Sequence, residues 1–321
     1  MTALTKLPQN AHVLRRFIQH PSLRFIVPLL IMALAFLVLN QMSRDINLAD
    51  VKADARAYSL SVLAVSFGAM CISYLALSLY DVIILRDVSS VHVPLAVKMM
   101  TGVAGMAVSN MLGFSWLTGG AIRYRVYAAF GVEISAVARL IATSWVAFFF
   151  GLLILLGGLM ALYPDGLGDI LPLSGPLEIL IGFSILIAAT AYFIWTAKVR
   201  RVVGVGAFSL NLPLARDGLQ MTMISIVDMA ASAITLYVLM PPDLAQNFVV
   251  FFVVFVAAVG LGILSHSPGG LGVFEATVVV ALGATGRSDV LTALMMYRVI
   301  YTVLPFLLVV IGLVLAWLIS N

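Results

Sequence analysis

Long apolar runs, each about as long as a membrane-spanning helix, divide this chain from end to end. A helix needs roughly 20 apolar residues to cross the hydrocarbon core of a bilayer. Runs of about this length lie at 25–43, 57–80, 101–122, 140–164, 179–197, 219–242, 244–274 and 290–321. Hydrophobic residues make up 63% of the sequence and charged residues only 10%, which is more apolar surface than a soluble domain could bury. The sequence therefore predicts an all-α, polytopic helical membrane protein with about seven to eight transmembrane segments.

The Lys and Arg residues indicate which side of the membrane each connection occupies, because positively charged connections stay in the cytoplasm. We place residues 1–24 in the cytoplasm as an N-terminal segment and treat 25–321 as one integral membrane domain. If 101–122 enters and leaves on the same side, the cytoplasmic side carries 13 Lys and Arg against four acids, and the opposite side carries four against eight. The cytoplasmic segments are then 1–24, 81–100, 123–139 and 198–218. The predicted location is the bacterial inner (cytoplasmic) membrane, with both termini in the cytoplasm.

Two glycine-containing stretches interrupt these apolar runs. SWLTGGAIRYRVY (115–127) and HSPGGLGVFEATV (266–278) each contain a Gly-Gly pair, followed five positions later by an ionisable residue. Irregular backbone is tolerated at membrane depth only where it is buried in protein or lines a water-filled cavity. We therefore predict re-entrant or broken helices at both places, with ordinary close packing of small residues as the alternative.

The two stretches also align with each other. Matching Gly119–Gly120 to Gly269–Gly270 relates two halves of the chain, at about 57–163 and 219–319, although a match this short also arises by chance. Duplicated halves with broken helices that meet near the bilayer midplane are typical of transporters. After Pro268 a new helix would begin with free N–H groups, and this end of a helix favours a bound phosphate.

Three ionisable residues remain at membrane depth once the surface charges are assigned: Asp228, Glu275 and Arg298. Each costs on the order of 2.5–3.5 kcal/mol to insert, so each should face the protein interior and have a partner. We predict that Arg298 pairs with either Asp228 or Glu275. The pair is either a structural link between helices or a binding site. In a binding site, Arg298 would receive a lipid phosphate, while one acid meets a cationic headgroup or holds the arginine when the site is empty.

Polar residues beside the interruptions are candidates for the wall of a cavity, because they supply hydroxyls, an amide and aromatic faces. The candidates are Tyr297, Tyr301, Ser115 and Asn110. Arg123 and Arg125 lie near the predicted cytoplasmic interface. They either attract anionic headgroups into a portal or serve as ordinary positive-inside anchors.

Nothing in the sequence predicts catalysis, a cofactor or a nucleic acid partner. Ser265, His266 and Ser267 are adjacent and lack a third orienting group, so they do not form a catalytic triad. The four histidines and the single cysteine show no metal-ligand spacing. The glycine-rich stretch lacks the Lys-Ser or Lys-Thr of a nucleotide-binding loop, and no basic surface with interleaved aromatic residues suggests nucleic acid binding. We therefore predict no catalytic residue, no metal and no cofactor.

Three segments resemble one known family. NMLGFSWLTGGAIRYRVYAAFGV (110–132) and SHSPGGLGVFEATVV (265–279) are similar to the paired signatures of the lysylphosphatidylglycerol synthase/flippase family. This is the transmembrane region of the multiple peptide resistance factors and their stand-alone relatives. MMYRVIYTVLPFLL (295–308) is similar to the closing helix of that region, and the resemblance covers about 60–317. It implies a flippase domain that moves aminoacylated phosphatidylglycerol, such as the lysyl form, from the inner to the outer leaflet. The family's activity contributes to resistance against cationic antimicrobial peptides.

The resemblance also implies partners and site residues. In fuller members a cytoplasmic domain transfers lysine from its tRNA to the lipid, so we expect a phospholipid substrate and a fused or separate aminoacyl-lipid synthase domain. A homodimer is a further assembly to test. The chain by itself would be a translocase rather than an enzyme. The residues carried over as functional are Arg123, Arg125, Gly269, Gly270, Glu275 and Arg298.

Two other functions remain open from the sequence. The chain would act as a membrane scaffold that presents lipid to an aminoacyl-phosphatidylglycerol synthase without moving it. Alternatively, it would be a solute transporter of similar duplicated architecture that is coupled to protons through Glu275.

Overall fold

The computed structural model describes residues 57–113, 115–164, 173–199, 201–205, 208–264, 268–285 and 287–320, which belong to one compact unit of the chain. Its α-helices are α1 (Leu60–Val88), α2 (Leu95–Leu112), α3 (Ser115–Ala129), α4 (Ile134–Leu162), α5 (Gly175–Trp195), α6 (Ala215–Tyr237), α7 (Phe248–Leu264), α8 (Val273–Ala281), α9 (Ser288–Arg298) and α10 (Leu304–Ser320). A 3-10 turn at Pro268–Gly270 precedes α8, and a π-helical turn at Val299–Val303 joins α9 to α10. The predicted N-terminal segment 1–24 and the predicted span 25–43 lie outside the described residues.

The helices confirm the prediction of a polytopic helical membrane protein. Within the described residues, six helical segments are long and apolar enough to cross a membrane: α1, α2, α4, α5, α6 and the continuous segment from α9 into α10. Helix α7 is apolar but shorter. A short antiparallel hairpin connects α5 to α6; its strands are β1 (Val202–Val205) and β2 (Phe208–Asn211).

Helices α1 and α6 form a long antiparallel pair. Hydrogen bonds from polar side chains join the two helices along their length. From one bond to the next, the residue number rises in α1 and falls in α6. In order, these hydrogen bonds join Ser66 Oγ to the Thr235 carbonyl (2.9 Å), Ser73 Oγ to Asp228 Oδ1 (2.5 Å), Tyr80 OH to the Met221 carbonyl (3.2 Å) and Arg86 Nη2 to Asp217 Oδ1 (2.8 Å). Ser66, Ser73 and Tyr80 recur every seven residues, which places them on one face of α1. Because apolar surface alone does not drive helix association in lipid, such polar contacts help to hold the pair together.

Helices α2 and α3 form a helical hairpin that turns at Gly113. This glycine ends α2 with a φ of +70°, a conformation that glycine adopts without strain. The two helices run antiparallel, since Gly119 of α3 packs against Gly105 of α2, and the Tyr127 hydroxyl lies 3.5 Å from the Lys98 carbonyl. The chain therefore enters and leaves this hairpin at the same end, as predicted for a re-entrant segment.

The position of this turn differs from the sequence prediction. The sequence predicts an interruption at Gly119–Gly120, but this pair lies within α3, and the chain turns at Gly113 instead. Positive φ angles occur at Gly113 and not at the Gly119–Gly120 pair. Gly119 serves a different purpose, because its missing side chain lets α3 approach the backbone of α2.

Helices α7 and α8 form a second helical hairpin, and here the predicted break is confirmed. The turn contains Gly269, Gly270 and Gly272, whose φ angles are +60°, +69° and +82°. Gly270 packs closely on α7, since a Cβ at this position would lie 3.4 Å from the Gly262 Cα. These three positive φ angles separate α7 from α8. Residues other than glycine rarely adopt a positive φ angle.

The tips of the two hairpins meet. A Cβ on Gly269, in the second hairpin, would lie 3.0 Å from the carbonyl oxygen of Asn110, in the last turn of α2. Asn110 Nδ2 donates a hydrogen bond to the hydroxyl of Tyr74 (3.1 Å), which lies halfway along α1. The junction is therefore near the middle of the long helices. Broken helices that meet at mid-depth are typical of duplicated transporters, and the assignment of two repeated halves stays a prediction.

Among the segments predicted to be cytoplasmic, the described parts of 81–100, 123–139 and 198–218 lie at one end of the helices. Arg86, near the end of α1, pairs with Asp217 at the start of α6, and Arg139 Nη2 donates to a main-chain carbonyl at the end of α1 (3.3 Å). At the opposite end, Arg287 pairs with Asp243, and its hydrogen bond holds the pKa of the exposed Asp243 carboxyl below its ordinary value. This grouping agrees with the predicted topology, while the side of the membrane that each end faces stays a prediction.

The contact between α2 and α3 makes a testable prediction about stability. In Gly119→Ala, the new Cβ would meet Ser109 Oγ and lie 2.6 Å from the Gly105 carbonyl oxygen, so the two helices must move apart. We expect a loss of about 1–3 kcal/mol, measured as a lower unfolding temperature in detergent. The matched control is Gly120→Ala, whose Cβ meets only the flexible end of Ile141 at 3.0 Å. Equal unfolding temperatures for the two variants would contradict this account of the hairpin.

Candidate functional site

Arg298, the last residue of α9, is held by Glu275 of α8. Arg298 Nε donates to Glu275 Oε1 (2.7 Å), and Nη2 lies 2.6 Å from the same oxygen. The third nitrogen, Nη1, donates to the Gly269 carbonyl (2.7 Å). The side chains of Arg298 and Glu275 are 8% and 13% exposed. Of the two acids that the sequence offers as partners, the structure therefore selects Glu275.

The same carboxylate caps the start of α8. Glu275 Oε2 accepts a hydrogen bond from the N–H of Gly272, the N-cap residue (2.8 Å). One carboxylate thus faces both the guanidinium and the positive end of the helix dipole. The guanidinium of Arg298 also lies over the Phe274 ring, 5.2 Å from its centroid. These donors form an anion-binding position that the protein's own carboxylate occupies.

Asp228 belongs to a separate buried cluster. The residue is 2% exposed, and its Oδ1 accepts hydrogen bonds from Ser73 Oγ (2.5 Å) and the Tyr301 hydroxyl (3.3 Å). The two hydroxyls are 2.7 Å apart. No lysine, arginine or histidine within the described ranges forms an ion pair with Asp228. The alternative pairing of Asp228 with Arg298 is therefore wrong.

A chain of contacts links the two acids. The Tyr74 hydroxyl donates to the Tyr301 carbonyl (2.9 Å) and accepts from Asn110 Nδ2 (3.1 Å). The carbonyl of Asn110 packs against Gly269, whose own carbonyl accepts from Arg298. Two of the predicted wall residues, Asn110 and Tyr301, thus lie between the Arg298 site and the Asp228 cluster.

Aromatic rings stack beside Arg298. Tyr297 stacks on Phe274, with ring centroids 5.7 Å apart, and on Tyr301, with centroids 5.2 Å apart. Tyr297 and Tyr301 are buried, as expected of interior residues next to the arginine. Their predicted role in lining a cavity stays a prediction.

A second buried ion pair lies at the first hairpin. Arg123 Nε is 3.0 Å from both carboxylate oxygens of Asp81, and Nη2 is 2.8 Å from Oδ1. The Tyr127 hydroxyl donates to the other carboxylate oxygen (2.7 Å). Asp81 and Tyr127 are fully buried, and Arg123 is 5% exposed, with its guanidinium packed against Gly105 and Gly119. Such bidentate, charge-assisted contacts are among the strongest polar contacts in proteins.

This ion pair changes the prediction of a portal. The sequence places Arg123 at the interface, but in this conformation it is buried against Asp81 and does not reach bulk lipid. The reason is that α1 continues to Val88 rather than ending near Tyr80, so it carries Asp81 into the interior. Arg125 is exposed on α3, as a portal residue or an interfacial anchor would be.

Sequence reasoning missed four residues of these clusters: Asp81, Ser73, Tyr74 and Tyr127. Asp81 follows a charge-free run and so passes for a surface acid. The seven-residue spacing of polar residues along α1 is the signal that could have revealed Ser73. Ser115 begins α3, and its side chain lies outside the described part. No group of three metal-ligating side chains occurs within the residues that the structure describes.

Comparisons with known proteins place these features in context. No family model matches the chain. The chain is 34% identical over 245 residues to an uncharacterized protein of Synechocystis, covering 76% of each. It is 29% identical over 267 residues to the inner membrane protein YbhN of Escherichia coli, covering 80% of each. It is also 25% identical over 267 residues to the phosphatidylglycerol lysyltransferase of Staphylococcus aureus, which is 79% of this chain and 29% of that protein.

Proposed function

Because this chain belongs to the family of the lysylphosphatidylglycerol synthase/flippase transmembrane region, we propose that it is a phospholipid flippase. The proposed substrate is aminoacylated phosphatidylglycerol, with the lysyl form first. The lipid would move from the inner to the outer leaflet of a bacterial cytoplasmic membrane. The positive charge that the aminoacylated lipid brings to the outer surface would weaken the binding of cationic antimicrobial peptides.

The observation that carries the proposal is the Glu275 carboxylate at an anion-binding position. It lies within 2.6–2.8 Å of Arg298 Nε, Arg298 Nη2 and the Gly272 N–H. A lipid phosphate carries a negative charge and several acceptor oxygens, so it can take the same donors. Nε and Nη2 share the single oxygen Oε1 of Glu275, whereas a phosphate has enough oxygens to give each of these donors its own acceptor.

An exchange of the Glu275 carboxylate for a lipid phosphate would keep the charge of Arg298 compensated at membrane depth. An unpaired arginine in the interior would be strongly unfavourable, because its desolvation would be uncompensated. If the phosphate replaces Glu275 as Glu275 leaves, Arg298 stays paired throughout. A rotation of the Glu275 side chain, which is 13% exposed at the start of α8, would free the Arg298 donors for this exchange.

The released carboxylate then has a second role. The lysyl headgroup carries ammonium groups besides its phosphate, and a carboxylate next to the phosphate site would pair with one of them. We therefore assign the phosphate to Arg298 and the cationic end of the headgroup to Glu275. Asp228 is 2% exposed and bonded to hydroxyls, which makes it a poor partner for a headgroup.

The location of the site suits a lipid that must pass between leaflets. The Arg298 site lies at the junction of the two hairpin tips, near the middle of the long helices. The positive φ angles at Gly269 and Gly270 favour glycine, and because glycine has no side chain, main-chain groups of this tip can approach a headgroup. Arg125, exposed on α3, would attract anionic headgroups toward the end of the helices that is predicted to be cytoplasmic.

Lipid exchange in proteoliposomes tests the proposal. The purified chain is reconstituted with fluorescent phosphatidylglycerol and then with a lysylated probe, and the fraction in the outer leaflet is followed by extraction with albumin. We expect exchange well above that of vesicles containing an unrelated helical membrane protein. Exchange at the control rate by monodisperse protein would contradict a flippase. In that case, lipid synthesis that depends on the chain would point to a scaffold, and solute flux driven by a pH gradient would point to a solute transporter.

A further inference from the structure

We propose that the Asp228 carboxyl is a proton-binding site and that its occupancy is coupled to lipid movement. The proton site is argued from the geometry of the Asp228 cluster, and the coupling rests on the proposed flippase function. Nothing in the Arg298 site requires this acid, since Glu275 already holds the arginine.

The Asp228 carboxyl lies in a buried environment without a charged partner among the described residues. Asp228 is 2% exposed, and it lies inside α6 between the long helices. Its described polar partners are the Ser73 and Tyr301 hydroxyls, neither of which carries a charge. An ionised carboxylate without a cation in such a place has a large desolvation penalty, which the uptake of a proton removes.

The Asp228 cluster can accept the proton by rotation of the Ser73 and Tyr301 hydroxyl groups. In the ionised form, both hydroxyls donate to Asp228 Oδ1. In the protonated form, the carboxyl O–H donates to Ser73 Oγ, and the Ser73 hydroxyl turns toward the Tyr301 oxygen 2.7 Å away. Hydroxyls both donate and accept, so each state is satisfied with the heavy atoms in place. The step adds one proton to one carboxylate oxygen and breaks no other bond.

The titratable groups near Asp228 determine which residue of the cluster can exchange a proton. On the elements that pack against α6 these are Cys71, Tyr74, Tyr80, Asp81, Arg86 and Asp87 of α1, Arg139 of α4, Glu178 and Tyr192 of α5, Asp289, Tyr297 and Arg298 of α9, and Tyr301 of the π turn; α7 has none. Tyr301 forms a hydrogen bond with Asp228, and Tyr74 and Tyr297 contact Tyr301 in turn. Tyrosines keep their protons at neutral pH, so Asp228 is the acid of this group that can exchange one.

Tyr301 connects the proposed proton site to the proposed lipid site. Tyr301 follows Arg298 by three residues on one continuous helix, and the π-helical turn lies between α9 and α10 at this point. Its hydroxyl belongs to the Asp228 cluster, while its carbonyl accepts from Tyr74. If a phosphate replaces Glu275 at Arg298, the change therefore acts on the same helical segment whose Tyr301 hydroxyl contacts Asp228. Such π-helical turns frequently occur at functional sites, and coupling between two bound ligands is reciprocal.

The experiment compares proteoliposomes with and without a pH gradient. We expect the gradient to drive net accumulation of the fluorescent lipid in one leaflet for the wild type. Asp228→Asn, which is close in size to the protonated acid, should lose this accumulation while it still exchanges lipid at symmetric pH. The matched control is Asp243→Asn, an exposed acid in the connection between α6 and α7 that should behave as wild type. Exchange that ignores the gradient in the wild type, or accumulation retained by Asp228→Asn, would overturn the coupling.

A second measurement separates this inference from the proposed function. Infrared spectra of the purified protein report a protonated carboxyl group by its C=O stretch. A band present in the wild type and missing in Asp228→Asn supports the proton site even if no lipid is exchanged, in which case the flippase proposal alone fails. Identical spectra would overturn the proton site. If Asp228→Asn does not fold, Tyr301→Phe should shift the same band because a hydrogen bond is lost, and an unshifted band would count against it.

Discussion

Replacing Arg298 with alanine is expected to reduce protein-dependent lipid exchange to the level of empty vesicles. The change removes the contacts to Glu275 Oε1 and to the Gly269 carbonyl, which come from the donors that we assign to the lipid phosphate. Truncating one partner of a buried, hydrogen-bonded charge pair costs about 2–5 kcal/mol, which corresponds to about 30- to 4,000-fold in affinity. The exchange rate per folded molecule should fall accordingly.

Two controls separate binding from folding in this experiment. Arg287→Ala removes another arginine, one that pairs with acids at the exposed end of the helices, and should leave exchange unchanged. The double variant Arg298→Met/Glu275→Met removes both buried charges, so it should recover the fold better than Arg298→Ala. It should still fail to exchange lipid. Wild-type exchange in Arg298→Ala would remove the phosphate site, and exchange restored in the double variant would make the ion pair purely structural.

Replacing Asp81 with alanine is expected to lower the free energy of unfolding by about 3–5 kcal/mol. The change leaves the Arg123 guanidinium, 5% exposed between Gly105 and Gly119, without its carboxylate. The Tyr127 hydroxyl loses its carboxylate acceptor as well. The measurement is denaturant or thermal unfolding in detergent, together with the fraction of monodisperse protein.

Glu133→Ala is the matched control for this second prediction. Glu133 is an exposed acid at the start of α4, so its loss should change stability by about 0.5 kcal/mol or less. Asp81→Leu/Arg123→Met removes both members of the buried pair and should recover most of the stability that Asp81→Ala loses. If Asp81→Ala unfolds like Glu133→Ala, the pair does not stabilise the first hairpin.

The glycine-rich stretches show how far local sequence can predict a break in a helix. The turn at Gly269–Gly272 is predictable, because Pro268 and three glycines occur together and the chain uses their positive φ angles. The first turn is at Gly113 rather than Gly119–Gly120, because a glycine in a helix is equally useful for a turn and for close packing. Which use applies depends on whether another backbone approaches, and α2 approaches Gly119.

The charged residues show the same division. That Arg298 needs an acid follows from the sequence, because a lone arginine at membrane depth is too costly. Its choice of Glu275 over Asp228 does not, since both acids are available and the choice depends on where α8 begins. The sequence places Asp81 at the surface, because the apolar run before it ends at Tyr80. Only the extension of α1 to Val88 buries it.

The sequence by itself determined the class of molecule, the rough position of most of its long apolar helices, and the need for a few paired charges inside. These follow from the free energy of placing each residue in lipid or water, which is a local property. The tertiary structure decided which acid meets which arginine, which glycines turn the chain, and that a polar cluster around Asp228 adjoins the Arg298 site. Those contacts join residues far apart in the chain, so they depend on how the helices pack rather than on the preference of any one residue.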